Sequence, residues 1–268
     1  MTVTATNSRQ SELGDFLRSR RQKLTPKAVG LPAGRRRRTP GLRREEVAEL
    51  AGIGVDWYVR LEQGRSVSPS AATIDALARA LRLSKAEHRH LSELTQNGDR
   101  RPFVRETVPP AIRRTVEQLS LPAYITGRRW DVLAWNEAAD EIFAFSRLAE
   151  ADRNSLISVL TNPASRVLFG ASWTEVARRM VSQFRATHDL WAGDPAFRDL
   201  LARLDEGCPE FAGWWETHDV SGVAAGRKSL IHPKKGRLKL EYTSFQANDD
   251  PALKLVIYTP DQMYAAER

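Results

Sequence analysis

Apolar positions recur along this chain with two periods, and the period changes shortly before residue 120. Leu13, Phe16, Leu17 and Leu24 share one helical stripe, with Arg18, Arg20, Arg21 and Lys23 around it. Thr25 and Pro26 then supply a cap and a first-turn proline. A second helix is predicted over 43–51, where Val47, Ala48, Leu50 and Ala51 are free to pack. Gly52 follows at the place that needs a positive φ. Residues 55–63 read as a third helix stopped by Gly64. Ser68 or Ser70 caps a fourth that carries Ile74, Leu77, Ala78 and Leu81. The capping box Ser84-Lys85-Ala86-Glu87 opens a fifth, which ends near Asn97-Gly98.

Beyond residue 110 helices alternate with strands. A helix is predicted over 111–119. Ala123-Tyr-Ile-Thr and Trp130-Asp-Val-Leu-Ala-Trp then read as two strands around a Gly-Arg-Arg turn. Helices are expected over 137–143, 154–160, 172–187 and 195–204. At the end, the stretches 227–232, 237–246 and 252–259 have strand character and are separated by Pro-Lys-Lys-Gly and Asn-Asp-Asp-Pro turns. Leu238, Leu240 and Tyr242 alternate with Lys239, Glu241 and Thr243, as in a half-buried strand. The organisation that follows is a disordered leader over 1–10, an all-α bundle of five helices over 11–97, and a linker over 98–110. An α+β domain with an antiparallel sheet then fills 111–262, ahead of a tail over 263–268.

Charge separates the same two parts. The chain carries 41 Lys+Arg against 33 Asp+Glu, a net +8. Residues 1–107 hold 21 basic and 12 acidic groups, whereas 108–268 hold 20 and 21. The whole excess therefore lies on the helical part, which favours a polyanion as its partner. Cys208 is the single cysteine, so neither an internal disulfide nor a cysteine-based zinc site can form. With no signal-like leader and no run of about 20 apolar residues, a cytoplasmic protein without a membrane partner is expected.

The third predicted helix can be oriented by its own arithmetic. At about 100° per residue, Tyr58 and Leu61 fall on the packing side. Asp56, Val59 and Arg60 face away, with Val55 at the edge. Such a face suits the major groove of DNA. Arginine forks onto guanine O6 and N7, aspartate accepts from cytosine, and valine meets the thymine methyl. Arg43 and Arg44 open the preceding helix, where backbone N–H groups and guanidinium groups both reach phosphates. Trp57 flanks this face, within reach of the sugar-phosphate wall. Arg35, Arg36, Arg37 and Arg38 form an arm rich in Gly and Pro. Two uses of it are open: insertion into a narrow minor groove, or a purely electrostatic phosphate clamp.

The second part holds six of the seven tryptophans, a group equally suited to core packing and to lining a small-molecule cavity. The segment with Trp214, Trp215, His218, Asp219 and Arg227 passes from a helix through a loop into a strand. It reads either as a pocket rim or as a helix C-terminus capped by His218. His88 and His90 point to different sides of one helix. The chain has no His-Glu-x-x-His, no Cys/His metal set, no phosphate loop and no G-x-S-x-G, so neither an enzyme nor a metal or cofactor site is expected.

Leu31-Pro-Ala-Gly with the four arginines, Thr39-Pro-Gly-Leu-Arg-Arg-Glu-Glu-Val-Ala-Glu-Leu-Ala-Gly-Ile, then Trp57-Tyr, Arg60-Leu-Glu-Gln-Gly-Arg and Asp75-Ala-Leu-Ala-Arg-Ala-Leu-Arg-Leu make residues 11–97 resemble the Cro/C1-type (XRE family) helix-turn-helix domain. The arginine arm is an insertion relative to the plainest members. The landmarks Leu121-Pro-Ala-Tyr-Ile-Thr-Gly, Pro209-Glu-Phe-Ala-Gly-Trp-Trp, Gly226-Arg-Lys-Ser-Leu-Ile-His-Pro and Leu253-Lys-Leu-Val-Ile-Tyr make the rest similar to MmyB-like ligand-binding domains of PAS-like build. The resemblance implies base contacts at Val55, Asp56 and Arg60 and a phosphate contact at Arg44. It also implies a homodimer on a two-fold operator and a small apolar, fatty-acid-like ligand. Tyr124, Trp135, Asn136, Trp214, Trp215, His218, Arg227, Tyr242 and Phe245 are the candidates for its lining. The expected function is a ligand-responsive transcription regulator. The alternative is a regulator whose second domain serves dimerisation or docking to a protein such as RNA polymerase.

Overall fold

The computed structural model describes residues 2–32, 41–65, 69–95, 102–222 and 225–261, with the backbone alone for 2–8. Arg35, Arg36, Arg37 and Arg38 lie outside the described residues. Two compact units emerge, and they are not consecutive in sequence. The first comprises Met1–Phe103, Ser182–Arg198 and Gly213–Gly222; the second comprises Val104–Val181, Asp199–Ala212 and Val223–Arg268.

The first unit is a helical bundle. It contains α1 (Thr2–Lys23), α2 (Arg44–Ala51), α3 (Val55–Glu62), α4 (Ala71–Ala80) and α5 (Lys85–Thr95). Helix α1 starts at Thr2, across the stretch expected to be a disordered leader. Leu13, Phe16 and Leu17 pack this helix into the core, and each further residue of a nucleated helix adds a hydrogen bond, so a stretch of weak propensity can extend it. Thr25 caps a short 3-10 turn at Pro26–Val29, and Gly52 closes α2 with a φ of 66°, where its N–H reaches the carbonyls of Ala48 and Glu49. Ser70 caps α4, and Ser84 and Glu87 form the reciprocal pair expected before α5. Val47, Ala48, Tyr58, Leu61, Leu77 and Leu91 meet in the core of the bundle.

The later segments join this bundle rather than the sheet. Val220 belongs to its core, and Ala186 packs against it. Ala186 lies on α10 (Trp173–Leu190), which places Ser182–Leu190 in the first unit. Phe103 sets its ring edge-on to Trp191 and Phe197, and its N–H donates to Asp194 at 2.8 Å.

The second unit is α+β. Strands β1 (Ala123–Thr126), β2 (Val132–Trp135), β3 (Gly226–His232), β4 (Gly236–Gln246) and β5 (Lys254–Pro260) form a five-stranded sheet, order β2-β1-β5-β4-β3, with every pairing antiparallel. The register aligns Tyr124 with Val256 and Trp135, and Tyr242 with Tyr258. Alternation then sends Ala123, Ile125 and Ile257 to the opposite face, under Val116 of α6 (Pro110–Gln118). The Tyr124 face takes α7 (Glu137–Phe143) and α9 (Pro163–Phe169), since His232 Nε2 lies 2.9 Å from the Glu141 carbonyl and Lys228 Nζ 5.6 Å from the Phe169 ring. Helix α9, which the sequence pattern did not suggest, begins with an Asn162 cap and Pro163 at its first turn. Helix α8 (Ser155–Leu160) completes the set, together with the parts of α11 (Pro195–Gly207) and α12 (Phe211–Trp215) that fall within Asp199–Ala212.

Candidate nucleic-acid interface and sheet-face site

Helix α3 presents the face that its arithmetic predicted. Tyr58 and Leu61 are fully buried, while Val55, Asp56 and Arg60 are exposed and Val59 is half-buried. Among the described residues neither Asp56 nor Arg60 makes an ion pair, so both side chains remain available to a partner. Trp57 is half-buried and packs on the bundle core, which takes much of its ring away from the flank role expected for it.

The close approach of α1 and α3 rests on Gly14. A methyl group there would meet the Glu62 carbonyl oxygen at 2.6 Å. Glu62 itself was missed by sequence reasoning. Its carboxylate is buried at the end of α3 and accepts from Arg21 Nε and a second Arg21 nitrogen, each at 2.7 Å. Arg44 adds bonds at 3.0 and 2.9 Å, and Arg18 stands 3.7 Å away. Burial alone would push this carboxyl up; the bonds and charges of Arg21, then of Arg44, outweigh it and hold it below its usual range. Tyr58 beside it is pushed up, by burial first and by the Glu62 charge second. The signal available in the sequence was positional, because Glu62 lies one turn beyond Tyr58 on the packing side. Arg44, a candidate phosphate contact, is therefore tied at one edge to Glu62 while its side chain stays partly exposed. Arg43 is exposed, and its N–H is taken by Glu46 at 2.7 Å.

A second polar cluster lies on another side of the same bundle. Asp189 on α10 is buried with Arg185 Nε at 3.3 Å, His90 Nε2 at 3.1 Å and His188 Nδ1 at 3.0 Å from its oxygens. Arg185 also donates to Glu12 of α1 at 3.2 Å and to His218 Nδ1 at 2.8 Å. Burial opposes the Asp189 charge, yet Arg185 and the two histidines outweigh it and hold this carboxyl well below the carboxylate range. Glu12 is pushed up by burial and then by Asp189. His218 is pushed down to about 4, by burial first and the Arg185 charge second, so its ring is neutral near pH 7. Glu12, His188 and Asp189 place potential ligand atoms within 4.8 Å of one another, but Arg185 already supplies the positive charge at that spot.

In the second unit Tyr124, Trp135 and Tyr242 do come together on one sheet face. Tyr124 meets Phe145 at 5.2 Å and Tyr258 at 6.1 Å between ring centres; Trp135 meets Phe145 at 5.8 Å and Tyr242 meets Tyr258 at 6.0 Å. Through these rings runs a polar line, in which Lys228 Nζ donates to Tyr258 Oη at 3.0 Å and Tyr258 lies 3.3 Å from Tyr124 Oη. Burial pushes both phenols up, and each stays protonated at neutral pH.

The other candidates go elsewhere. Asn136 caps α7 and uses all four of its hydrogen-bonding positions internally: Oδ1 accepts from Ala123 and Ala139, and Nδ2 donates to the Leu119 and Leu121 carbonyls. Arg227 and Phe245 fall on the opposite sheet face by strand alternation. Arg227 pairs with Glu241 at 2.9 Å, and Phe245 is 56% exposed. Trp214, Trp215 and His218 belong to the first unit, where Arg185 stacks 4.0 Å over the Trp215 ring. The nine residues grouped by type therefore do not form one lining, because their parity and their packing partners differ.

The helix-turn-helix geometry over α2 and α3 agrees with a match of residues 12–91 to a helix-turn-helix domain model. Residues 108–268 match the MmyB-like transcription regulator ligand binding domain, which is more than half of the chain. The chain belongs to this family. Comparison with curated proteins returned no match. Among the described residues no helix is long and apolar enough to cross a membrane. The MmyB-like match covers Ser182–Arg198 and Gly213–Gly222, the two segments that pack into the DNA-binding bundle.

Proposed function

We propose that the protein is a sequence-specific DNA-binding regulator of the Cro/C1 type whose MmyB-like half senses a small apolar ligand. The observation that carries the DNA reading is the outer face of α3. Val55, Asp56, Val59 and Arg60 lie on the side turned from the core, with Arg60 and Asp56 unpaired among the described residues. Arg60 forks onto a guanine, Asp56 accepts from a cytosine, and Val55 and Val59 meet thymine methyls. Arg43 and the free edge of Arg44 hold phosphates, and the arm at Arg35, Arg36, Arg37 and Arg38 extends that contact along the duplex. Two copies on a two-fold operator complete the arrangement.

The ligand reading is supported by the aromatic sheet face. Tyr124, Trp135, Tyr242 and Tyr258 supply apolar area, and the Lys228–Tyr258–Tyr124 line supplies the few polar groups that orient a ligand. A five-stranded antiparallel sheet with helices on both faces fits a PAS-like build.

Selection from a pool of genomic fragments in dilute buffer tests the DNA reading, and it is expected to enrich one site. Arg60→Ala should then cost about 1–3 kcal/mol on that site and little on random DNA. Equal losses on both would assign Arg60 to the backbone. Native mass spectrometry of protein from its own host tests the ligand reading through a bound apolar adduct. A bare mass would favour the dimerisation or docking module.

A further inference from the structure

Helix α1 is gripped from two sides. On one side, Glu12, Arg20 and Lys23 hold segments that belong by sequence to the MmyB-like match. Glu12 binds Arg185 at 3.2 Å, Arg20 donates to the His218 carbonyl, and Lys23 binds Asp219 at 2.7 Å and the Thr217 carbonyl at 2.6 Å. At about 100° per residue, Glu12, Lys23, Phe16 and Arg20 span less than a quarter of the helix circumference. Arg21 and Gly14 lie across the helix from them. They face α3, Arg21 through its two bonds to Glu62 and Gly14 through the missing side chain.

The buried grip on the first side is closed. Arg185 bridges Asp189 and Glu12, with His90 of α5 and His188 completing the shell. Arg20 also binds Glu87 of α5 at 2.6 Å. Such a network has discrete arrangements rather than a continuum, since each polar group loses its partner when it shifts.

We infer that α1 is a joint: segments 182–198 and 213–222 of the ligand-binding half set the pose of the recognition helix through the Asp189–Arg185–Glu12 network on one side of α1 and the Arg21–Glu62 pair on the other. This rests on the reading of the chain as a ligand-responsive regulator. It names the route by which that regulation reaches the DNA, through packed side chains and a rigid helix rather than through the linker near residue 102. Reciprocity follows, because DNA bound at α3 must be felt at Arg185 and His218.

The test is hydrogen exchange on the full chain, without DNA or ligand, comparing wild type with Asp189→Asn, which keeps the shape and removes the charge. Exchange in α3 is expected to rise about tenfold more than exchange in α4, which lies outside the joint. Unchanged α3 beside loosened 182–198 and 213–222 segments overturns the joint. So does an equal rise in α4, which would mean uniform destabilisation. Should Asp189→Asn fail to fold, the exposed pair provides a second route. Lys23→Glu and Asp219→Lys should each speed α3 exchange about two- to threefold, and together restore it; failure to restore overturns the joint. A third arm adds the selected operator duplex to wild type and reads protection at 185–190 and 214–219. Protection confined to α3 contradicts the joint. Absence of any DNA binding sinks the regulator reading instead, and leaves the ligand-free comparison to decide the joint.

Discussion

Glu62 and Asp189 are both buried carboxylates held by arginine, yet their surroundings are opposites. Glu62 faces an excess of cations: Arg21, Arg44 and Arg18 converge on one charge. The surplus points outward, through a half-exposed Arg44, toward the region where phosphates are proposed to lie. Asp189 instead shares one guanidinium with Glu12 and completes its shell with two imidazoles. The first site is open and carries an excess of cations, whereas the second is closed and has none to spare. A buried carboxylate can thus prepare a surface for a ligand or lock two segments together, and the charge count around it decides which.

Breaking these sites should show the difference. Glu62→Ala strands Arg21, a buried guanidinium, and should cost about 3–5 kcal/mol in urea unfolding. Asp189→Asn keeps a hydrogen-bonding oxygen for Arg185 and should cost about 2–3 kcal/mol by the same measurement. Acid sharpens the contrast. His218 has a folded value of about 4 against an ordinary 6.5, so the unfolded chain binds more protons between those two values. Its contribution is complete above pH 6.5, is lost as the pH falls toward 4, and amounts to about 2 kcal/mol after allowance for its partial exposure. Arg185, Asp189, Asp15 and Arg20 are the charges that act on it. Stability measured across this range should slope down toward acid, and His218→Asn, which tolerates the φ of 50° found there, should flatten that slope. Glu62 and Asp189, both depressed, hold their contribution above about pH 4 and lose it only below. The smallest effect is expected from Lys23→Met. It removes an ion pair whose two side chains are 45% and 36% exposed, and should cost less than about 1 kcal/mol.

Local periodicity made much of this structure legible. The outer face of α3, the Gly52 turn, the Ser84 capping box and all five strands follow from spacing within a dozen residues. Alternation would also have separated Phe245 and Arg227 from Tyr242, had parity been weighed above residue type. What spacing cannot carry is partnership across the chain. Glu12 meets Arg185 across 173 positions, and Lys23 meets Asp219 across 196. Arg185 shows the same composition signal as a solvated arginine, and only folding turns it into the centre of a buried cluster. Residue types leave the Trp214–His218 stretch open as a rim or a cap, and its place beside α1 is invisible to them for the same reason.

Gly14 leaves α1 and α3 touching backbone to backbone. A seam that thin leaves no room for thickening. Selection for a new target sequence is therefore free to rewrite Asp56, Val59 and Arg60, whereas any residue larger than glycine at position 14 would pry the reading head off its mount.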